Sequence, residues 1–355
     1  MSVLLKNLVR PRCLQAGDLV AAVSLSWGGA AIFPHRYETG KSQFEQAYGI
    51  RVVEMKHTLK SPAWIAQNPA ARADDLMEAF TNPEISGIVS VIGGDDSVLI
   101  LPYLDIGVIE KNPKLFVGYS DTTVTHFACL KAGVTSFYGP SIMAGFAENA
   151  GLHSYMRHSI EKTMFSPEPV GTIMPAQGWT TEHLDWASPE NQKQARKMNP
   201  NTGWVCLQGT GRTQGRLIGG CVSTMQMIED TNIWPELDVW RDGILFCEVS
   251  EELSSADDFK LWLRHMGEKG ILQVLNGILF GRPSGQTPKA DWHLFDEAFL
   301  SVIRDELSLT SLAILSHLDF GHTDPMFVLP YGVMAEIDCD KTSLAILEKA
   351  VLPRS

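Results

Sequence analysis

The sequence predicts an α/β protein of two successive domains, and three observations support this fold class. The chain has 355 residues, a length that suits two domains. Strand-like and helix-like stretches alternate in the first half and resume after residue 213, as in βαβ units around a parallel sheet. Between them, residues 167–213 contain five prolines and little periodicity. We therefore predict domains at residues 1–166 and 214–355, joined at residues 167–213 by a linker with a long loop.

In the first half, short apolar runs indicate the strands, and stretches with helical spacing indicate the helices. Strands are predicted at Leu19–Ser24, Ile50–Met55, Gly87–Ile92 and Lys114–Val117. Helices are predicted at Gly40–Tyr48, Ala70–Phe80 and Asp121–Lys131. Because strands and helices alternate, we expect a flavodoxin-like or Rossmann-like domain, with helices on both faces of a parallel sheet.

The second half shows a similar alternation with a larger share of strands. It resumes with the motif at Gly215–Gly220, and strands are predicted at Ile244–Glu248, Val274–Phe280 and Ala313–Leu315. Helices are predicted at Cys221–Glu229 and at Ser255–Gly267, the second with a serine cap and a glycine end. This half is expected to be a β-rich α/β domain.

Composition excludes several classes of function. Lys+Arg number 29 and Asp+Glu number 41, so the formal net charge is −12, which disfavours binding to a nucleic acid polymer. No apolar run approaches the length of a membrane span, and charged residues interrupt the first segment. Six dispersed cysteines without a CxxC motif are typical of reduced thiols. We therefore expect a cytoplasmic protein with no membrane partner, no metal and no cofactor.

The most informative local motif is Gly118-Tyr119-Ser120-Asp121, between a short apolar strand and a helix. Such a strand–turn–helix exposes a serine hydroxyl at a helix N-terminus, where backbone N–H groups can stabilise an oxyanion. Thr122 replaces the second glycine of a nucleophile elbow, so the match is incomplete. The alternative interpretation is that Ser120 and Asp121 only cap the helix.

A second candidate loop, Gly93-Gly94-Asp95-Asp96, follows the preceding strand. In open α/β sheets, ligands bind at the carboxyl ends of strands, and glycines let the backbone approach a substrate. The loop has neither a G-x-G-x-x-G pattern nor a Walker lysine, so a nucleotide-phosphate loop is disfavoured. A solvated turn remains the alternative.

A nucleophilic serine needs a base and an orienting acid. His322 is a candidate base because it lies on a loop after a strand, and His317 and His126 are rivals. Glu248 is a candidate acid, since a carboxylate at the end of an apolar strand is costly unless paired. Glu251 and Glu252 are nearby alternatives for the acid, although we expect both to be solvated. Spacing alone does not assemble these groups.

Taken together, the motifs resemble the LD-carboxypeptidase family of serine peptidases, and most closely its microcin C immunity peptidase branch. The resemblance extends over nearly the whole chain. Its motifs are Pro11-Arg12-Cys13-Leu14, Arg72-Ala73-Asp74-Asp75-Leu76, Ile92-Gly93-Gly94-Asp95-Asp96-Ser97, Gly118-Tyr119-Ser120-Asp121, Gly215-Arg216-Leu217-Ile218-Gly219-Gly220, Leu245-Phe246-Cys247-Glu248 and Phe320-Gly321-His322.

The resemblance implies a Ser–Glu–His triad between the domains. Ser120 would be the nucleophile, His322 the general base and Glu248 the orienting acid. The oxyanion donors would be the backbone N–H groups of Asp121 and Asp95. The family also suggests a homodimer.

Two features favour the immunity branch. Ile92 stands where cell-wall LD-carboxypeptidases typically carry arginine, and the tryptophan-containing segment is long. The resemblance implies that a loop tryptophan, Trp186 or Trp179, stacks on a nucleotide, with Gly93 and Gly94 also contacting the substrate. Cys221 departs from the family, which often has asparagine there.

The resulting hypothesis is hydrolysis of the acyl–amine bond of a peptidyl- or aminoacyl-nucleotide such as processed microcin C, for self-immunity or detoxification. One alternative is a murein tetrapeptide LD-carboxypeptidase that acts in peptidoglycan recycling. The other is a small-molecule binding protein without catalysis.

Overall fold

The computed structural model describes residues 7–253 and 255–354. The strands are β1 (Leu19–Val23), β2 (Arg51–Glu54), β3 (Ile85–Ser90), β4 (Leu115–Gly118), β5 (Phe137–Tyr138), β6 (Pro169–Ile173), β7 (Gly178–Trp179), β8 (Asn199–Pro200), β9 (Val205–Gln208), β10 (Arg212–Cys221), β11 (Gly243–Glu248), β12 (Gly277–Gly281), β13 (Ala313–Leu318), β14 (Leu329–Pro330), β15 (Met334–Asp338) and β16 (Ser343–Lys349). The α-helices are α1 (Gly29–Ile32), α2 (Pro34–Tyr48), α3 (Pro62–Gln67), α4 (Pro69–Thr81), α5 (Ile106–Lys111), α6 (Thr123–Lys131), α7 (Ser154–Ile160), α8 (Val222–Ile228), α9 (Leu237–Trp240), α10 (Ala256–Glu268) and α11 (Trp292–Phe299).

The first sheet has the strand order β14-β5-β4-β3-β1-β2. Strands β2, β1, β3, β4 and β5 run parallel, and β14 joins the edge antiparallel to β5. The order 2-1-3-4-5 is that of flavodoxin-like sheets, in which ligands bind where the strand order reverses, between β1 and β3. The predicted parallel sheet is confirmed.

The second sheet has the order β6-β16-β15-β10-β11-β12-β13-β9. Its centre, β10 to β13, is parallel, whereas the strands on both flanks are antiparallel. Buried apolar residues fill the strands of the parallel centre, as expected where both sheet faces are covered. This mixed sheet confirms the predicted β-rich α/β part.

The segment at residues 167–213 differs from the predicted loop. It contributes β6 and β9, the two outermost strands of the second sheet, and the small β7-β8 ribbon. Each edge strand pairs with a single partner, and Pro169 is tolerated because it starts an edge strand. Short strands of this kind leave little periodicity in the sequence.

Local sequence explains the ends of several helices. The hydroxyl of Ser255 accepts hydrogen bonds from the N–H groups of Asp257 and Asp258, which is the predicted cap of α10. Pro34 starts α2 before the predicted Gly40, because proline suits a first helical turn. Among the described residues, no helix has the length and apolar character needed to cross a bilayer.

Candidate active site

Ser120 follows β4 in a strained turn. Its backbone has φ +63°, a left-handed conformation that is costly for a residue with a side chain. A 3-10 turn, Ser120–Thr122, connects β4 to α6. The turn is tight enough that a Cβ on Gly118 would lie 2.8 Å from Thr122 Oγ1. The predicted strand–turn–helix is therefore present, and its strain is concentrated at the serine.

A hydrogen-bond chain links Ser120 to two residues of the C-terminal half. His322 Nε2 lies 3.0 Å from Ser120 Oγ, and His322 Nδ1 lies 2.7 Å from Glu248 Oε2. Tyr138 completes the chain, since its hydroxyl donates to Glu248 Oε1 at 2.5 Å and accepts from the Ser120 N–H at 3.1 Å. The four residues form a closed ring of contacts. The structure thus brings together three candidates that sequence spacing could not connect.

Glycines make room for the carboxylate. Glu248 ends β11 and is fully buried. A Cβ on Gly321, which has φ +92°, would lie 2.7 Å from Glu248 Cγ, and one on Gly281 would lie 3.0 Å from Glu248 Cβ. The Phe320-Gly321-His322 motif therefore needs its glycine so that the histidine can approach the carboxylate.

The protonation of His322 is set by its partners. Burial lowers its pKa, but the charge and hydrogen bond of Glu248, together with the charges of Glu251 and Asp324, raise it to about 9. The resting imidazole is therefore largely protonated at neutral pH. Glu251 Oε2 also lies 4.0 Å from His322 Nε2.

The rival histidines have other surroundings. His126 is fully buried between the Ser136 hydroxyl and the Gly118 carbonyl, and burial lowers its pKa to about 3, so it stays neutral. His317 lies 3.1 Å from Asp296 and packs on a tryptophan. Neither histidine contacts Ser120.

The Gly93-Gly94-Asp95-Asp96 loop runs along the serine. A Cβ on Gly93 would lie 3.2 Å from Ser120 Oγ, so a side chain there would crowd the hydroxyl. Asp121 is fully buried and accepts from the Ser97 N–H at 2.8 Å, which ties the serine turn to this loop. Asp95 is exposed. Of the two predicted oxyanion residues, Asp121 follows Ser120 directly in the chain, and Asp95 lies two residues after Gly93 in the neighbouring loop.

A cavity of about 300 Å³ opens above these residues. Its wall includes Ser120, His322, both loop glycines, Trp27, Arg36, Trp186 and Arg196. Trp179 is not part of this wall, because it is buried and packs on Trp292 with ring centroids 4.8 Å apart. Of the two predicted tryptophans, only Trp186 faces the cleft.

Arg36 was missed by sequence reasoning. Its guanidinium stacks 4.0 Å from the centre of the Trp186 ring. Its hydrogen bonds go to neutral groups, the Met143 carbonyl and the side chains of Asn149 and Gln192. Burial and the charge of Arg196 lower its pKa to about 10, which still leaves it protonated. Within the described residues no carboxylate lies within ion-pair distance of it, so its charge is available to a ligand.

Cys221 lies beside the buried pair. Its thiol, a Glu248 oxygen and a His322 nitrogen lie within 4.8 Å of one another, a separation that a metal ion could span. Burial and the Glu248 charge raise the pKa of the thiol, so it stays neutral. Glu248 and His322 already hydrogen-bond each other, so these contacts are explained without an ion.

Comparison with protein families gives two matches. Residues 20–139 match the LD-carboxypeptidase N-terminal domain, and residues 214–337 match the LD-carboxypeptidase C-terminal domain. Ser120 and Tyr138 lie in the first match, and Glu248 and His322 lie in the second.

The chain is also similar to known proteins over nearly its full length. It is 29% identical to the microcin C7 self-immunity protein MccF of Escherichia coli over 344 residues, 95% of each chain. A solved structure of an MccF-like protein from Streptococcus pneumoniae in complex with AMP superposes with TM-score 0.84 at 30% identity, covering 93% of this chain and 98% of that one. A structure of MccF in complex with aspartyl sulfamoyl adenosine also gives TM-score 0.84, at 27% identity, covering 97% and 99%.

Proposed function

Because the chain belongs to the LD-carboxypeptidase family of peptidases, we propose that it is a serine hydrolase with Ser120 as nucleophile, His322 as general base and Glu248 as orienting acid. The observation that carries this proposal is the hydrogen-bond chain from Ser120 Oγ through both nitrogens of His322 to Glu248. A nucleophile, a base and an orienting acid in this order are the parts of a catalytic triad.

The geometry supports acyl transfer in two stages. Neutral His322 takes the proton of Ser120 Oγ as the oxygen attacks the substrate carbonyl, and Glu248 stabilises the resulting imidazolium. The backbone N–H groups of Asp121 and Asp95 receive the oxyanion. The carbon–nitrogen bond then breaks, and His322 returns the proton to the leaving nitrogen. Water, activated by the same imidazole, hydrolyses the acyl-enzyme.

The strain at Ser120 fits the role of a nucleophile. Left-handed backbone at a residue with a side chain is retained where the surrounding structure enforces it, often at functional sites. If Ser120 only capped α6, an extended backbone would serve, since capping residues usually adopt that conformation. This contrast favours the catalytic interpretation over the capping alternative.

The cavity supports an aminoacyl-nucleotide as substrate. Trp186 offers a face for a base, and Arg36, which has no ion-pair partner among the described residues, offers a positive charge for an anionic linker. The relatives in complex with AMP and with aspartyl sulfamoyl adenosine have a comparable ligand class. Hydrolysis of a toxic aminoacyl-nucleotide such as processed microcin C would then serve self-immunity or detoxification.

A murein tetrapeptide LD-carboxypeptidase is the second candidate, because the chain belongs to the LD-carboxypeptidase family and is 25% identical to a probable murein peptide carboxypeptidase of Bacillus subtilis. Ile92 lines the cavity. The family resemblance implies that cell-wall LD-carboxypeptidases typically carry arginine at this position. The aliphatic side chain cannot pair with a terminal carboxylate, so this candidate has less support.

Turnover of two substrates tests the proposal. The wild type should hydrolyse norleucyl sulfamoyl adenosine, release free norleucine, and leave murein tetrapeptide unchanged. Ser120→Ala should abolish the release, and a fluorophosphonate probe should label the wild type alone. Tetrapeptide cleavage without nucleotide cleavage would support the second candidate. Failure of both substrates and of the probe would support a binding protein without catalysis.

A further inference from the structure

A second cavity, of about 670 Å³, also reaches Ser120 and His322. It lacks Trp186 and the two arginines that line the first cavity. The two cavities therefore meet at the reacting groups and together form one cleft. A substrate whose nucleotide lies in the first cavity has its acyl part directed to the second.

Negative charge dominates the second cavity. Its wall includes the four carboxylates Asp95, Asp96, Glu251 and Glu252, and no lysine or arginine. Asp96 is balanced by the buried Arg72, with Nη1 2.6 Å from Oδ1. Burial and the charges of Asp95 and Asp121 raise the pKa of Glu252, which is the response expected where like charges face one another.

The remaining carboxylates can be assigned to charges on a ligand. Glu251 is the nearest to the reacting groups, at 4.0 Å from His322 Nε2, which suits the α-ammonium beside a scissile carbonyl. Asp95 and Glu252 have no cation within 4.0 Å among the residues that the structure describes. Asp95 and Glu252 could therefore pair with a second positive charge on the ligand, in addition to its α-ammonium.

The rest of the wall combines an apolar patch with the side chains of Ser26 and Ser250 and the reacting groups. The apolar patch consists of Trp27 and three residues of α3, Pro62, Ala63 and Ala66. A cavity that offers both an apolar patch and carboxylates suits a side chain with a methylene stem and a cationic end. An acidic acyl side chain would meet like charges here without a cation to offset them.

We infer that the second cavity holds the acyl residue and selects residues with a cationic side chain, such as lysyl. This inference rests on the proposed function, because it needs the nucleotide in the first cavity. The hydrogen-bond chain of Ser120, His322 and Glu248 does not by itself determine which acyl side chain is preferred.

The test is a charge series on one nucleotide. Lysyl-, norleucyl- and glutamyl-sulfamoyl adenosine share the leaving group and have side chains of similar length. We expect kcat/KM to be about 5-fold higher for lysyl than for norleucyl, and about 25-fold higher than for glutamyl, at low ionic strength. Added salt should reduce both ratios.

Two variants inside the second cavity and a control outside it distinguish a local effect on side-chain preference from an effect of the protein's overall charge. Glu252→Lys should reverse the order, so that the glutamyl substrate becomes the best of the three, and Asp95→Asn should reduce the lysyl preference. Glu110→Lys makes the same charge change on an exposed side chain that lines neither cavity, and it should keep the wild-type order.

The outcomes distinguish the two proposals. Hydrolysis of all three substrates with equal kcat/KM, or a preference for glutamyl in the wild type, would overturn the inference and leave the proposed function standing. Hydrolysis of none of them would overturn the proposed function and, with it, this inference.

Discussion

The two halves of the chain hold their groups at the cleft by different means. The N-terminal half holds Ser120 through backbone conformation, with φ +63° and glycines packed around the turn. Glu248 and His322 of the C-terminal half are held instead by buried charge and side-chain hydrogen bonds, one of them donated by Tyr138 of the N-terminal half. This difference predicts that substitutions in the two halves affect activity and stability to different extents. The serine hydroxyl contributes little to the fold, whereas Glu248 serves both.

The largest effect is expected at the N-terminal side. Ser120→Ala should lower kcat by roughly 10⁴- to 10⁶-fold, because the nucleophile is lost. The free energy of unfolding should change by less than about 1 kcal/mol, since alanine tolerates the same backbone and only one hydrogen bond disappears. Single-turnover kinetics and urea unfolding measure both quantities. Activity near the wild-type level would refute the assigned nucleophile.

Glu248→Gln is the matching change on the C-terminal side. We expect kcat to fall by roughly 10⁴-fold, because an amide does not stabilise the imidazolium. Unlike Ser120→Ala, it should also lower the free energy of unfolding by about 1–3 kcal/mol, because a buried hydrogen-bonded group is disturbed. Glu110→Gln, at an exposed position, should change neither quantity. If Glu248→Gln retained full stability, the contrast between the halves would fail.

The pH dependence of kcat/KM should reflect the titration of His322, a residue of the C-terminal half. A general base must be neutral, and His322 has a pKa raised to about 9, so kcat/KM should rise roughly 50-fold between pH 7 and pH 9, as the neutral fraction grows from about 1% to about 50%. Glu251→Gln removes one carboxylate that raises this pKa, and should shift the midpoint to lower pH. His126, with its pKa lowered to about 3, does not titrate in this range. An unchanged midpoint in Glu251→Gln would contradict the assignment.

Stability should respond to pH with the opposite sign. The folded pKa of His322 lies above its ordinary value of 6.5. Its protonated form therefore stabilises the fold fully below about pH 6.5, and this contribution is lost as the pH rises through about 9. The protein is expected to gain activity and lose stability over the same interval.

The smallest effect compares two tryptophans of one segment. Trp186→Ala should raise KM for an aminoacyl-nucleotide by roughly 5- to 150-fold, the loss expected from one base stack, and spare a small ester without a base. Trp179→Ala should leave KM unchanged and lower the free energy of unfolding by about 3–5 kcal/mol, because that ring is buried against Trp292. Equal losses of Trp186→Ala on both substrates would show that Trp186 serves folding.

Sequence reasoning reached the groups that carry a local pattern. Ser120 lies between a visible strand and helix, and Glu248 ends an apolar strand, so both were predictable. Tyr138, Trp27 and Arg36 were not, because each comes from a separate element and becomes informative only when the fold brings it to the cleft.

The linker could not be predicted for a similar reason. Strands β6 and β9 are short edge strands whose partners, β16 and β13, lie more than a hundred residues away. Nor could the sequence tell Trp179 from Trp186, since the helix that covers Trp179 starts at Trp292. Long-range partners decide these positions.

The separation of the groups along the chain affects when the enzyme can first act. Ser120 and His322 are 202 residues apart, and β14, which completes the edge of the first sheet, follows His322. At about 5–20 residues per second, ribosomal synthesis of this interval takes roughly 10–40 s. If Ser120 and His322 act as proposed, a nascent or truncated chain that presents the serine has no base beside it, and hydrolysis begins only after translation has supplied both halves.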